Sequence, residues 1–529
     1  MDALPDLCQR HLIQYLPPAS ITPLLFINKH WFHFTATLLY RNPFSTLKET
    51  SLRNYIDEED FRERLYDLIY LLLSCCNQQD LISDTVLYRT RRFAAPSIDY
   101  LSLYTHQTTQ AIEYLSREWP IQSAESRTDR YDLIRIAFAT HKPENVSHLY
   151  MPTYYLSQLM LQAPQFTRLQ RLEVYDDHAV PRTKQLYNFF ADLQAMSQGS
   201  TSLLNLTELA LVMPIWELKV EEYVKPLDLT HWTCLRRLDL LSWRATVDWA
   251  SLPVANLNDL RLNLSTLSKG FDPAAFFGSC NKLQTLYIHS VSSTTFSWLQ
   301  QQLPGTDASM PMLTTLEIGG ARKPLMLSLT YILEACSKNL ESLAIVLQEH
   351  GETPYIPENI HWTKLLPKLH SLALKNKAVF EFNPAAIGNC PALRNLTLAI
   401  DAEKADPGCT ELMSPRFGKW YALLETMKLV GQYGRQLETM RFDGYWIFGG
   451  RVALLATESM KHLKSLYLSA GIRSVNAVAV CSLLKCMEDL TLLEVPIESA
   501  DWNHSEELAD LLEQRPDLEV RPTNFSIRF

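Results

Sequence analysis

The residues that could do chemistry in this chain do not form a recognisable catalytic or metal-binding pattern. His30 and His33 could ligate zinc, but they stand without cysteine partners. Cys409 has no obvious base near it in the sequence that would make its thiol a nucleophile, and Asp176-Asp177 has the character of solvated loop charge. The glycine-rich phosphate-binding, serine-nucleophile and zinc-protease motifs do not occur. We therefore expect no catalytic residue, no metal ion and no cofactor.

A second kind of chemistry, the binding of another protein, has better candidates. Seven charged or aromatic residues stand at equivalent places between pairs of apolar residues: Glu173, Asp239, Arg261, Tyr287, Glu317, Arg441 and Tyr467. Mixed charge with two tyrosines is suited to protein recognition. A solvated sheet surface would have the same composition, so both interpretations stay open.

The elements that carry these seven residues share a short phrase, L-x-x-L-x-L. Thirteen copies recur about every 28 residues, a period typical of a leucine-rich repeat. Seven copies fit closely: Leu235/Leu238/Leu240, Leu283/Leu286/Ile288, Leu313/Leu316/Ile318, Leu340/Leu343/Ile345, Leu369/Leu372/Leu374, Leu393/Leu396/Leu398 and Leu463/Leu466/Leu468. Six are weaker: Val146/Leu149/Met151, Leu169/Leu172/Val174, Leu206/Leu209/Leu211, Leu257/Leu260/Leu262, Leu437/Met440/Phe442 and Met487/Leu490/Leu492.

The spacing within the phrase predicts a strand, because its last two apolar positions are two residues apart and share one face. One repeat cannot bury that face alone, so neighbouring repeats must stack into a parallel sheet. A returning helix is predicted where Leu329, Ile332, Leu333 and Cys336 follow helical spacing. The small or breaker residues Cys280, Cys336, Pro367 and Cys390 end such helices, which resembles the cysteine-containing class of leucine-rich repeats. We predict an α/β leucine-rich-repeat solenoid, or horseshoe.

Composition excludes several classes of function. The chain has 529 residues with a net charge of -9, so it is not built to bind nucleic acid phosphates. The longest apolar run, Leu68 to Cys76, is far shorter than the ~20 residues of a membrane span. Its ten cysteines are scattered, which favours reduced interior residues and a cytoplasmic or nuclear location.

The first 44 residues stand apart from the repeats and predict three short amphipathic helices. Their apolar positions fit the spacing of an F-box throughout: Leu4, Pro5, Leu7, Leu12, Ile13, Leu16, Ile21, Leu24, Ile27 and Trp31. Asn28 replaces a frequent cysteine, and Pro18-Ala19-Ser20 lacks the aspartate often found there. The segment from Leu39 to Pro43 resembles the one that follows many fungal F-boxes. The chain thus resembles the fungal F-box/leucine-rich-repeat family.

The resemblance implies a role in a ubiquitin ligase. Members of that family bind the Skp adaptor of SCF complexes through the F-box helices, the adaptor links them to cullin, and the repeats hold a protein substrate. The ten F-box positions are then adaptor-binding residues. We expect a small all-α F-box at 1–44, a helical linker with irregular N-terminal capping repeats at 45–145, and the solenoid with its C-terminal cap at 146–529.

Three functions compete at this point. The first is a non-catalytic substrate receptor of an SCF-type ubiquitin ligase, with no membrane or nucleic acid partner. The second is a leucine-rich-repeat scaffold for protein–protein interaction whose N-terminal helices only cap or dimerise. The third, an enzyme, would need a nucleophile or cofactor constellation that the sequence does not show.

Overall fold

The computed structural model describes well under half of the chain, mainly in the repeats. The described residues are 35–36, 106–108, 146–152, 166–175, 205–212, 227–241, 247–266, 276, 279–291, 312–320, 329, 332–333, 336, 338–347, 360, 362–376, 378–400, 428–444, 446–447, 460–468, 472–473, 477–495 and 505–522. The chain divides into two compact units, Met1–Leu235 and Arg236–Phe529. Each is described by itself below.

The first unit contains four described strands. They are β1 (His106–Thr108), β2 (His148–Pro152), β3 (Arg171–Tyr175) and β4 (Glu208–Val212). Each pairs in parallel with the next in chain order. The apolar residues of the phrase are buried, among them Leu172 and Val174 on β3 and Leu209 and Leu211 on β4. This unit therefore has the repeat architecture that its phrases predict.

The second unit contains thirteen described strands. They are β5 (Arg237–Leu240), β6 (Asp259–Asn263), β7 (Thr285–Val291), β8 (Thr315–Gly320), β9 (Ser342–Leu347), β10 (Ser371–Asn376), β11 (Asn395–Ile400), β12 (Thr439–Gly444), β13 (Trp446–Ile447), β14 (Ser465–Leu468), β15 (Ile472–Arg473), β16 (Leu492–Val495) and β17 (Glu519–Pro522). Strands β13 and β15 form a separate parallel pair. The other eleven form one parallel sheet in chain order. Parallel strands in chain order are the arrangement of a leucine-rich-repeat solenoid.

A repeated hydrogen-bond pattern joins neighbouring repeats just before each strand begins. Two successive backbone N–H groups donate to one carbonyl oxygen of the preceding repeat. The N–H groups of Glu341 and Ser342 donate to the carbonyl of Thr314 at 2.8 and 2.9 Å, and those of His370 and Ser371 donate to Glu341 at 2.8 and 3.1 Å. The pattern fixes the register of each strand on its neighbour.

The core of the second unit is built by the phrase itself. In β10, Leu372 and Leu374 point inward and are at most 1 % exposed, and Leu369 in the preceding turn is fully buried. Burying one such leucine stabilises the fold by about 1.5–3 kcal/mol. The residues Leu329, Ile332, Leu333 and Cys336 are helical and buried, which confirms the predicted returning helix.

One predicted copy of the phrase is wrong in its register. The sequence interpretation placed it at Met487, Leu490 and Leu492, but the fully buried strand residues are Leu493 and Val495. Leu492 is only half-buried and pairs with Ser465 of β14. The copy is therefore Leu490/Leu493/Val495. Leu490, Leu492 and Leu493 lie within four positions of one another. The sequence alone therefore could not decide which of these leucines is the first inward residue of the strand.

Three helices and four 3₁₀ turns have described bounds. The helices are α1 (Ala378–Glu381), α2 (Ala477–Cys486) and α3 (Glu506–Glu513), and the 3₁₀ turns are Trp249–Ser251, Val254–Asn256, Leu264–Thr266 and Pro384–Asn389. Helix α3 and strand β17 are the last described elements of the chain. No helix in the described part of the chain combines the length and the apolar character needed to cross a lipid bilayer.

The N-terminal predictions fall almost entirely outside the described residues. Within 1–44 only Thr35 and Ala36 are described, and both are helical and buried. The ten candidate adaptor-binding positions between Leu4 and Trp31 lie outside. Within 45–145 the described residues form β1 alone. The three domain bounds stay predictions.

Candidate protein-binding face

The candidate site is the face of the second unit's sheet that points away from the buried leucines, here called the open face. Its central row consists of residues that the strand register places side by side: Asp239, Arg261, Tyr287, Glu317, Ala344, Ala373, Thr397, Arg441, Tyr467, Glu494 and Arg521. Six of the seven sequence candidates lie in this row. The seventh, Glu173, belongs to the first unit, where it accepts a hydrogen bond from Arg171 at 3.2 Å.

The first two strands of the row carry a block of alternating charge. Arg237 and Asp239 lie on β5, and Asp259 and Arg261 lie opposite them on β6. The Arg237–Asp259 and Asp239–Arg261 pairs have N–O distances of 3.3 and 3.6 Å, and Arg261 also lies 3.5 Å from Asp259. Burial raises the pKa of Asp239, and the Leu241 N–H and the two arginines offset only part of that rise. These charges are largely satisfied within the sheet.

Two arginine–tyrosine pairs stand on the central row. The guanidinium of Arg261 lies over the ring of Tyr287, 4.3 Å from its centroid, and that of Arg441 lies 5.7 Å from the centroid of Tyr467. Asp443 holds Arg441 through two contacts of 2.8 Å to its Nε. Cation–π contact and ion pairing fix the orientation of both arginines. Tyrosine and arginine are the residue types that most often dominate protein interfaces.

Small side chains separate the two arginine–tyrosine pairs. In the central row, Ala344, Ala373 and Thr397 occupy β9, β10 and β11, and all three are half-buried. The row before them is mostly hydroxyl-bearing: Thr285, Thr315, Ser342, Ser371, Asn395, Thr439 and Ser465. With ~4.8 Å between strands, the small stretch separates Glu317 from Arg441 by about 19 Å.

The side chain of Glu317 is buried, unlike a side chain on a solvated sheet surface. Its side chain is only 8 % exposed. The His289 ring Nε2 lies 2.9 Å from its Oε1, and the Lys375 ammonium donates to its Oε2 at 2.7 Å. Both carboxylate oxygens therefore have partners. Lys375 reaches Glu317 from β10 across β9, where the central row has the small side chain of Ala344.

Glu317 remains a carboxylate in this setting. Burial alone raises the pKa of Glu317, but the hydrogen bonds and charge supplied by His289 and Lys375 outweigh it. The net effect is a pKa below the ordinary value of 4.5. A negative charge is thus buried together with the groups that neutralise it.

Local backbone geometry places His289 and Lys375 around Glu317. Ser290 and Asn376, the residues that follow them, both have a φ of 57° and turn the chain out of the extended conformation. The register of β7 on β8 shifts between Ile288 and Val291. Gly319 makes room for the imidazole, because a Cβ there would lie 3.0 Å from His289 Cδ2.

Sequence reasoning missed His289 and Lys375. Each follows the last apolar residue of its phrase directly, at a position that the repeat pattern left unexamined. The signal that could have identified them is the recurrence of polar residues at this position, as in Asn263 and Asp443. Their convergence on Glu317 depends on strand register, which the phrase alone does not give.

Metal ligation and thiol chemistry have little support among the described residues. Among the described residues, no group of three or more His, Cys, Asp or Glu side chains could hold a metal ion. The described cysteines are free thiols, and burial raises the pKa of Cys280, Cys336 and Cys390 to about 12. Such thiols are poor nucleophiles at neutral pH.

Comparison with known proteins gives only distant resemblances. No protein-family model and no curated protein matches the chain. A crystal structure of a TLR13–ssRNA13 complex overlaps with a TM-score of 0.28 and 14 % identity, over 57 % of this chain and 40 % of that one, so this chain spans less than half its length. A crystal structure of the Rad7–Elc1 complex in yeast overlaps with a TM-score of 0.22 and 14 % identity, over 78 % of this chain and 96 % of that one. The fold assignment rests on the strand register and buried phrases described above.

Proposed function

We propose that this chain is a non-catalytic receptor subunit of an SCF-type ubiquitin ligase. In this proposal residues 1–44 bind the Skp adaptor, which recruits cullin, and the open face binds a protein substrate. The complex would work in the cytoplasm or the nucleus. The observation that carries the substrate half is the central row, where two arginine–tyrosine pairs flank a stretch of small side chains.

Orientation and spacing support protein binding by the open face. The arginines are held by carboxylates and tyrosine rings, so less side-chain entropy is lost when a partner binds. The row mixes both charges, and its small stretch gives a partner access to the sheet. The net charge of -9 argues against a nucleic acid ligand.

The adaptor half of the proposal is supported by the sequence of residues 1–44. Ten positions from Leu4 to Trp31 follow F-box spacing. The three short helices that the sequence predicts there would form too small a core for robust independent stability, and their apolar surface would need a partner. The alternative is a repeat scaffold whose N-terminal helices have no ligase role.

Adaptor binding separates the two alternatives. We would co-express the chain with the Skp adaptor and analyse the complex by size-exclusion chromatography. The proposal predicts a stable one-to-one complex that is lost in a Leu12→Asp, Ile13→Asp double variant. An Arg441→Asp variant is the matched control, because it alters the open face and should still co-elute with the adaptor. Wild-type chain that stays soluble and alone would support the scaffold alternative.

A further inference from the structure

Lys375 presents the positive side of a buried ion cluster to the open face. The Glu317 side chain is 8 % exposed, whereas the Lys375 side chain is 33 % exposed. The carboxylate of the cluster is therefore covered, and the lysine is its more exposed member. A partner that approaches this part of the face meets a cation first.

Among the described residues, those beside Lys375 on the two adjacent strands carry no charge. Its neighbours in register on β9 and β11 are Val346 and Ala399. Asp443 lies one strand further on β12, and Arg441 engages it. Among the residues that the structure describes, Glu317 is the only ion-pair partner of Lys375. One of the three ammonium donors serves Glu317, which leaves donors for an incoming group.

Access to Lys375 is given by the small residues beside it. Ala344, Ala373 and Thr397 leave space over β9, β10 and β11. A segment lying over this space contacts the sheet between the two arginine–tyrosine pairs. Among the described residues of β9–β11, none in the central row has a bulky side chain.

We infer that Lys375 is a specificity-determining residue that binds a negatively charged side chain of the protein segment held over β9–β11. The inference rests on the proposed protein-binding function of the open face. The recognised group is a carboxylate or a phosphate, because either complements an ammonium group. Glu317 and His289 act as positioning residues that hold the ammonium at the surface.

Oriented peptide pools test this inference on the full chain. Three labelled pools of random sequence have glutamate, phosphoserine or glutamine fixed at the central position. The immobilised chain should retain the glutamate pool, the phosphoserine pool or both about fivefold better than the glutamine pool, the factor expected for one charge pair of ~1 kcal/mol. The relative retention of glutamate and phosphoserine pools identifies the source of the negative charge.

Matched lysine variants assign the preference to one residue. Lys375→Met should abolish the preference for charged pools. Lys368→Met should keep it, because Lys368 lies outside the rows of the open face and donates to Asn339 at 3.0 Å. Thermal melting of each variant shows that it is folded. An unchanged preference in a folded Lys375→Met variant would overturn the inference.

A third variant separates failure of the inference from failure of the proposed function. Ala373→Trp fills the space over the small stretch and should reduce retention of every pool. If all three pools bind equally and Ala373→Trp reduces them, the face binds proteins but the charge preference is wrong. If no pool binds the wild-type chain, both the inference and the peptide-binding role of the face are overturned.

Discussion

At the residue scale, Glu317 is the side chain on which the open face depends most. Its carboxylate is nearly excluded from water and has partners on β7 and β10. The Glu317 side chain thus connects β7 and β10, which are separated by β8 and β9. Loss of its charge would leave the Lys375 ammonium without its counter-ion.

Replacement of this carboxylate should cost stability in a pH-dependent way. Glu317→Gln should lower the free energy of unfolding by about 1–3 kcal/mol at neutral pH, as expected for a buried charged hydrogen bond. Because the pKa of Glu317 is lowered in the folded state, its contribution is present above 4.5 and is lost as the pH falls through the folded value. Urea unfolding at neutral pH and well below pH 4 measures both effects.

The matched control for this variant is Glu341→Gln, because Glu341 is exposed in the turn before β9. It should change stability little at either pH. A Glu317→Gln difference that is absent at neutral pH, or that persists undiminished in acid, would contradict the structural role assigned to the cluster.

The cysteines give a second prediction at the residue scale. Burial raises the pKa of Cys280, Cys336 and Cys390 to about 12, so almost no thiolate exists at neutral pH. Iodoacetamide should leave these three unmodified in the native chain and should modify the exposed Cys234. Peptide mass spectrometry reads out each site. If Cys336 in the native chain were modified as fast as Cys234, its thiol would be accessible to solvent, which would contradict its burial at the end of the returning helix.

At the element scale, Arg515 connects the C-terminal cap to helix α2. Its guanidinium donates to the carbonyl oxygens of Leu484, Met487 and Glu488 at 3.3, 2.7 and 2.9 Å, and also to that of Leu490. These carbonyls lie at and just beyond the end of α2, where helical partners run out. A cation there also complements the helix dipole.

Removal of the Arg515 guanidinium should destabilise the C-terminal end of the solenoid. Arg515→Met should cost about 1–2 kcal/mol, because it leaves several partly buried carbonyls without a donor. Arg521→Met is the matched control, since its ion pair with Glu519 is more than half exposed and should contribute little to stability. Hydrogen exchange over 477–495 should accelerate in the first variant alone. Equal exchange in both would show that Arg515 is not the cap.

The sequence predicted elements well wherever apolar spacing decides the structure. A strand needs only two inward residues two positions apart, so Leu343/Ile345 and Leu372/Leu374 identified β9 and β10 directly. Crowded apolar residues gave the error at β16, where Leu490 and Leu492 were taken for the inward pair that Leu493 and Val495 form. Helix α2 and the Arg515 cap depend on contacts over about 30 residues, which local spacing does not contain.

At the scale of the whole molecule, the repeat is both the fold and the source of the binding face. Each of the eleven strands in the second unit's main sheet contributes one residue to the central row, so the alternating pattern predicted which residues share it. The cluster of His289, Glu317 and Lys375 could not be predicted in this way. Lys375 and Glu317 are 58 residues apart, and their contact depends on the registers of β8 on β9 and of β9 on β10. The register shift in β7 occurs at His289, the third member of the cluster.

The measurement that tests the account most directly is the assembly of a ternary complex. Purified chain, Skp adaptor and cullin would be mixed and their mass measured by light scattering after gel filtration. We predict a one-to-one-to-one complex for the wild-type chain and for the open-face variant Ala373→Trp. The folded Leu12→Asp, Ile13→Asp variant should remain outside it. Failure of the wild-type chain to join adaptor and cullin would contradict the receptor function and leave a protein-binding scaffold.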